Sequence, residues 1–215
     1  MHWVKFIPPQ YLSRQARKPS GWFGRVLMSR IFNKVNADLN IFIKELLELE
    51  ENDAVLEIGF GSGQLINQIA QITKKGFVSG IDFSDAMLAQ ACKANKKFIS
   101  EKRVAIQKGN CINMPYPNEA FEKACTSNTV YFWENPKKNF KEIFRVLKKN
   151  GILVVGFRDR NQMEKLPFSK DIFSFYSAEE IKSLLFDSGF TDVSIISKDS
   201  SPFVSHCAVA NKTSL

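Results

Sequence analysis

The sequence predicts an α/β fold, a mostly parallel sheet with helices on both of its faces. Short β-branched runs alternate with helical stretches from Asp53 onward, the order that joins parallel strands through helical crossovers. The run Ile152–Phe157 is nearly continuous in apolar character, as a strand is when helices cover it on both sides. The chain's 215 residues, 44% hydrophobic and 24% charged, suit one ordinary domain with its own core and leave no room for two large ones.

Along the chain, Trp22–Asn36 reads as an amphipathic helix. Phe23, Val26, Leu27, Ile31 and Val35 share one stripe, with Arg25, Ser29 and Asn36 opposite. It belongs to a basic N-terminal helical arm, residues 1–40, set off from a main domain at 41–215, and it could act as a lid. Ala54–Ile58 is the first strand. A glycine-rich turn leads into a helix whose Leu65, Ile66, Ile69 and Ile72 form a buried face. Phe77–Ile81 is the second strand. Ser84 caps the next helix, which runs to about Phe98 and carries Asp85 in its first turn, where a negative charge suits the helix dipole.

Val104–Lys108 is the third strand, and Pro115 and Pro117 mark a turn before the fourth, Lys123–Ser127. Asn135 caps and Pro136 opens a helix with Phe140, Ile143, Phe144 and Leu147 on its apolar face and Gly151 beyond its end. The fifth strand, Ile152–Phe157, enters a segment at 158–175 without periodicity, of a length that often carries function. Ser177 and Glu180 form a capping box for a last helix that stops near Gly189. Val193–Ile196 and Val204–Ala210 bring the strands to seven.

Composition excludes several classes of protein. No apolar run approaches the roughly 18 residues of a membrane-spanning helix. Pro8 and Pro9 interrupt the start before the apolar part of a signal peptide can form, so none is expected. Cys92, Cys111, Cys125 and Cys207 are widely spaced with no C-x-x-C, which fits a reducing cytoplasm and small buried side chains better than disulfides or nucleophiles. The two histidines, His2 and His206, lie at opposite ends without neighbours at metal-ligand spacing, so no metal site is expected. His206 alternates with Val204 and Ala208 and reads as a packed, hydrogen-bonded strand residue.

Residues 1–40 hold Lys5, Arg14, Arg17, Lys18, Arg25, Arg30 and Lys34 against Asp38 alone, which is +6 of the chain's net +8. Such an arm can draw a nucleic acid or an anionic membrane surface. With no nucleic-acid module in the chain, a solvated face is the favoured reading.

The chemistry is concentrated in Val55–Gly63, a strand that runs into Gly59, Gly61 and Gly63 and then a helix. Glycines there let the backbone take positive φ and approach a ligand at the carboxyl end of a strand, where open α/β sheets bind ligands. Asp82 ends the second strand, 25 residues after Glu57, where its carboxylate can accept from both ribose hydroxyls. Asn110 follows the third strand, and Ser127 and Asn128 close the fourth. Four successive strand tips, marked by Glu57, Asp82, Asn110 and Asn128, should converge on one crevice suited to a nucleotide-like cofactor. A dinucleotide fingerprint would place its third glycine at position 64, which is Gln64.

The spacing E-x-G-x-G-x-G with an acid ending strand two instead resembles motif I of the class I S-adenosylmethionine-dependent methyltransferases, closest to the group called type 11. Gly80–Leu88 is similar to that family's acidic ribose-binding stretch. Thr129–Trp133 and Arg145–Gly151 resemble the segments after strand four and before strand five. The likeness covers about Asn52 to Ala210. It implies a Rossmann-like sheet of seven strands with the last antiparallel, and S-adenosylmethionine as cofactor.

It further implies that Gly59, Phe60, Gly61 and Gly63 line the methionine part, with Glu57 near the ammonium. Asp82 would hold the ribose, Phe83 would pack on the adenine, Asn110 and Cys111 would face its edge, and Asn128 would complete the site. The family commonly has Asp where this chain has Asn110, which keeps an acceptor for the adenine amino group and loses the charge. The methyl acceptor is expected to be a small molecule bound between the N-terminal helix and segment 158–175. RNA or a membrane-associated lipid is the alternative substrate, and a scaffold that binds cofactor without turnover the alternative role. No catalytic residue is assigned: Tyr131 and Asp159 are weak candidates for a base, and Trp22, Tyr131 and Trp133 either line the pocket or fill core.

Overall fold

A computed structural model describes residues 8–20, 29–200 and 203–213. Seven strands form one sheet: β1 Ala54–Ile58, β2 Phe77–Asp82, β3 Val104–Lys108, β4 Phe121–Ser127, β5 Leu147–Phe157, β6 Thr191–Ser200 and β7 Phe203–Asn211. Their order is β3-β2-β1-β4-β5-β7-β6. The pairs from β3 through β5 are all parallel, and β7 runs antiparallel to both β5 and β6. The last strand is therefore the one reversed strand, as expected. The chain order turns back between β1 and β4, and in such sheets the strand tips at that switch point open a crevice.

Among the described residues the α-helices are α1 Pro9–Arg17, α2 Ser29–Leu47, α3 Gln64–Ile72, α4 Asp85–Ala94, α5 Lys96–Ser100, α6 Pro136–Val146, α7 Arg160–Met163 and α8 Ala178–Phe186. Strand side chains alternate between faces, and they split the core in two. Val55, Val78, Cys125 and Val154 pack with Leu39 and Ile43 of α2, Leu65, Ile66 and Ile69 of α3, and Ala91 of α4. Leu56, Ala124, Leu153 and Val155 pack with Phe140 and Ile143 of α6 and Ile181 and Leu185 of α8.

Local signals act where the sequence places them. Asn135 Oδ1 accepts from the Lys138 N–H at 3.0 Å. Ser177 Oγ accepts from the Glu180 N–H at 3.2 Å, and Glu180 Oε2 accepts from the Ser177 N–H at 2.8 Å, which completes the capping box. His206 lies in β7 with Nδ1 2.8 Å from Ser197 Oγ and its ring stacked on Phe157.

Several boundaries differ from the sequence reading. Residues 21–28, including Trp22, lie outside the described residues. From Ser29 the N-terminal helix runs to Leu47 and crosses the expected boundary at residues 40 and 41. Leu39, Ile43 and Leu47, spaced by four, are fully buried and carry the helix across it. Gly156 of β5 makes room, since a Cβ there would lie 2.6 Å from Ile43 Cδ1.

In α3, Ala70 joins the buried face while Ile72, in the last turn, is 38% exposed. The helix expected to reach Phe98 breaks at Asn95, whose buried amide Nδ2 donates to the carbonyls of Gly63 and Ala91, both at 2.9 Å. Leu147, expected in the last turn of α6, already belongs to β5.

If α2 is part of the core, Leu39→Ala should cost about 2–5 kcal/mol of unfolding free energy in urea. A loss below about 0.5 kcal/mol would show that the arm folds apart from the sheet.

Candidate active site

One cavity of about 230 Å³ opens over the tips of β1, β2, β4 and β5, beneath α1, α2 and the 158–175 segment. Glu57, Gly59, Phe60, Gly61, Asp82, Phe83 and Asn128 all line it. The glycines differ in what they do. Gly61 has φ +52 and open space where a Cβ would stand, so its backbone is bared to the cavity. Gly59, at φ +73, is needed because a Cβ would lie 2.4 Å from Thr129 Cγ2. Gly63, at φ +78, does not line the cavity; a Cβ there would meet Ala91 Cβ at 2.7 Å, so this glycine seats the turn against α4.

Asp82 fastens the glycine turn to the neighbouring strand. Its Oδ2 accepts from the Gly61 N–H at 3.0 Å and its Oδ1 from the Ser84 N–H at 2.9 Å. The Phe83 N–H also serves the carboxylate, whose roughly four acceptor positions still leave room for a ligand. Burial raises the Asp82 pKa, against the lowering effect of these N–H donors.

Glu57 is 2% exposed, and its Oε2 has no hydrogen-bond partner. The Ile66 N–H, in the first turn of α3, serves the carboxylate, but burial and the nearby Asp82 charge hold the Glu57 pKa well above its ordinary value of 4.5. A buried, half-satisfied carboxylate beside a second one makes this end of the cavity a receptor for positive charge.

Asn110 and Cys111 are not among the residues that line the cavity. Asn110 Oδ1 turns back to accept from the Ile112 N–H at 3.1 Å, and Cys111 Sγ points inward, accepting from Asn139 Nδ2 at 2.6 Å. An Asx turn and a buried thiol contact thus engage the two groups expected at the adenine edge.

Neither candidate base is arranged as one. Tyr131 Oη accepts from the Arg158 N–H and shares its own proton between Asn128 Oδ1 at 3.1 Å and the Arg158 carbonyl at 3.2 Å. Burial raises its pKa, so it stays a neutral phenol. Asp159 caps two helices, accepting from the Asn161 N–H at 2.9 Å and the Ala178 N–H at 3.2 Å. Trp133 is core.

Other lining residues escape a reading by motif. Asn36, expected on a solvated face, accepts from Asn128 Nδ2 at 2.9 Å, and Asn40 accepts from Ser127 Oγ at 2.8 Å. Two amides four residues apart beside an apolar stripe are the one signal that could have shown this polar seam. Phe132, Phe168 and Phe173 form an aromatic wall. Ser13 Oγ of α1 accepts from the Ser169 N–H at 2.8 Å, which joins the arm to the 158–175 segment above the cavity.

Residues 56–155 match the model of the family described as Methyltransferase domain. The uncharacterized methyltransferase YdaC of Bacillus subtilis is 29% identical over 177 residues, covering 82% of this chain and 93% of its own. A chloroplastic 2-methyl-6-phytyl-1,4-hydroquinone methyltransferase of Oryza sativa is 25% identical over 215 aligned positions, covering 89% of this chain and 62% of its own. A solved structure of a SAM-dependent methyltransferase from Aquifex aeolicus shares the fold with a TM-score of 0.69 at 22% identity, over 82% of this chain and 90% of that one. Sheet order, strand-tip cavity and these likenesses define the class: an S-adenosylmethionine-dependent methyltransferase with a Rossmann-like fold. Within that class, the stretch at residues 56–155, somewhat under half of the chain, is similar to the methyltransferase-domain family.

Because protonation favours the folded state at Glu57, its stabilising effect is present at acid pH and is lost as pH rises through the raised pKa. Glu57→Gln should therefore raise the melting temperature of the ligand-free protein at neutral pH, with the gain fading on acidification. A variant less stable than wild type at neutral pH would mean the carboxylate is fully satisfied.

Proposed function

We propose that the cavity holds S-adenosylmethionine across the tips of β1, β2 and β4 and serves transfer of its methyl group to a small apolar acceptor under α1, α2 and the 158–175 segment, with S-adenosylhomocysteine as the leaving product. The observation that carries this reading is the unpaired Glu57 carboxylate, buried at the end of the cavity where Gly61 bares its backbone. When bound, the cofactor supplies an electrophilic methyl group on a sulfonium.

Glu57 would hold the cofactor's ammonium, and Gly59, Phe60 and Gly61 would lie along its methionine part. Asp82 would accept from the ribose hydroxyls with its free lone pairs while keeping the glycine turn in place. Phe83, 36% exposed at the cavity, would stack on the adenine. Asn128, held by Tyr131 and Asn36, fixes the β4 tip beside them.

The protein's contribution to transfer is mainly position and dryness. Holding nucleophile and methyl in a near-attack geometry can supply about 7–11 kcal/mol. The faces of Phe132 and Phe173 suit a cation in a site closed to water. A small acceptor is supported by the apolar wall and by the hydroquinone named for the Oryza sativa relative. A cytoplasmic setting belongs to the same proposal and rests on the widely spaced cysteines; no helix of the described residues is long and apolar enough to cross a membrane.

Calorimetry with S-adenosylhomocysteine tests the cofactor site. Wild type should bind, and Asp82→Ala should weaken binding by about 1–3 kcal/mol, the cost of lost charge-assisted hydrogen bonds. Unchanged affinity would place the ribose elsewhere. Affinity should also fall as pH drops through the raised Glu57 pKa, since a neutral carboxyl no longer attracts the ammonium. A flat profile would remove Glu57 from the site.

A further inference from the structure

Arg158, at the tip of β5, is a charge without a counterpart. It is 7% exposed and lines the cavity. Its Nη2 donates to the Val35 carbonyl at 3.0 Å, its guanidinium lies 4.3 Å from the centroid of the Phe203 ring, and its Nε is buried with no partner. No carboxylate forms an ion pair with it among the described residues; Tyr131, a neutral phenol, is its electrostatic neighbour. An unpaired buried guanidinium is destabilising because it loses hydration without gaining a compensating charge, and arginine does not escape by losing its proton.

The cavity is therefore segregated by charge. Glu57 and Asp82 occupy the β1 and β2 tips, and β4 separates them from Arg158 in the sheet order. Phe203 stacks on the guanidinium, and the same cavity is lined by Met163, Leu166, Phe168 and Phe173. One end of the cavity is built for a cation. The other offers a buried cation with an unpaired Nε donor, in a cavity that also carries an aromatic and aliphatic wall. A neutral alcohol or amine in that wall would leave the guanidinium uncompensated, whereas an anion would neutralise it and accept hydrogen bonds from its fork.

We propose that Arg158 is the specificity-determining anchor for an anionic oxygen group on the methyl acceptor, so that the acceptor is a small apolar acid. This rests on the cofactor reading above, which assigns the Glu57 end to S-adenosylmethionine. The rival occupant of Arg158 is the carboxylate of the cofactor itself.

The test uses the full chain and calorimetry with three proteins, wild type, Arg158→Met and Arg158→Lys, each first titrated with S-adenosylhomocysteine and then, once saturated, with 2-naphthoate or its uncharged isostere 2-naphthamide. Wild type should bind the acid at least tenfold more tightly than the amide. Arg158→Met should lose that preference while its affinity for S-adenosylhomocysteine stays within twofold, and Arg158→Lys should keep most of it. Arg158→Met should also melt no lower than wild type, because it removes an uncompensated buried charge.

A tenfold or greater loss of S-adenosylhomocysteine affinity in Arg158→Met would assign the arginine to the cofactor and overturn the proposal. So would wild type failing to distinguish acid from amide, whether it binds both or neither. Failure of wild type to bind S-adenosylhomocysteine would overturn the cofactor reading instead.

Discussion

The site depends on keeping two carboxylates buried side by side at adjacent strand tips. Like charges so placed repel and lose their hydration, so the fold must hold them there. It does so through the glycine turn. Asp82 accepts the Gly61 N–H, Ile66 of α3 donates to Glu57, and Gly63 lets the turn sit against α4, where Asn95 binds its carbonyl. Among the groups of this arrangement that line the cavity, the unpaired Glu57 oxygen is what remains unsatisfied, while Asn95 Oδ1 is unpaired outside that lining. That is the usual pattern where a site is prepared for a ligand and stability is given up locally.

The second constraint is the cover. Helix α2 is core at its carboxyl half, through Leu39, Ile43 and Leu47, and cavity wall nearer its start, through Val35 and Asn36. The amide seam from Asn36 to Asn128 and from Asn40 to Ser127 sets its position over β4. Through Ser13 and Ser169, α1 and the 158–175 segment are joined in turn. The two elements expected to enclose the acceptor do face one cavity, and they are held by polar links between residues more than eighty positions apart.

What could be read from sequence was what is encoded locally. The strands, the caps at Asn135 and Ser177, and the glycine turn with Asp82 each depend on a few neighbouring residues, and each stands where the pattern placed it. Asn95, Asn36 and Arg158 were opaque because their roles come from partners distant in the chain: Gly63, Asn128, and Val35 with Phe203. Gly63 shows a subtler limit. The motif places a glycine there, but only packing against Ala91 reveals that it seats the turn against α4. The contact of Cys111 was hidden for the same reason, since its partner Asn139 lies on α6.

The most direct test is a crystal structure of the protein grown with S-adenosylhomocysteine. The account predicts both ribose hydroxyls within hydrogen-bond distance of Asp82 and the amino group beside Glu57 Oε2. Density for the molecule anywhere else in the protein, or a strand-tip cavity left empty at saturating concentration, would contradict it.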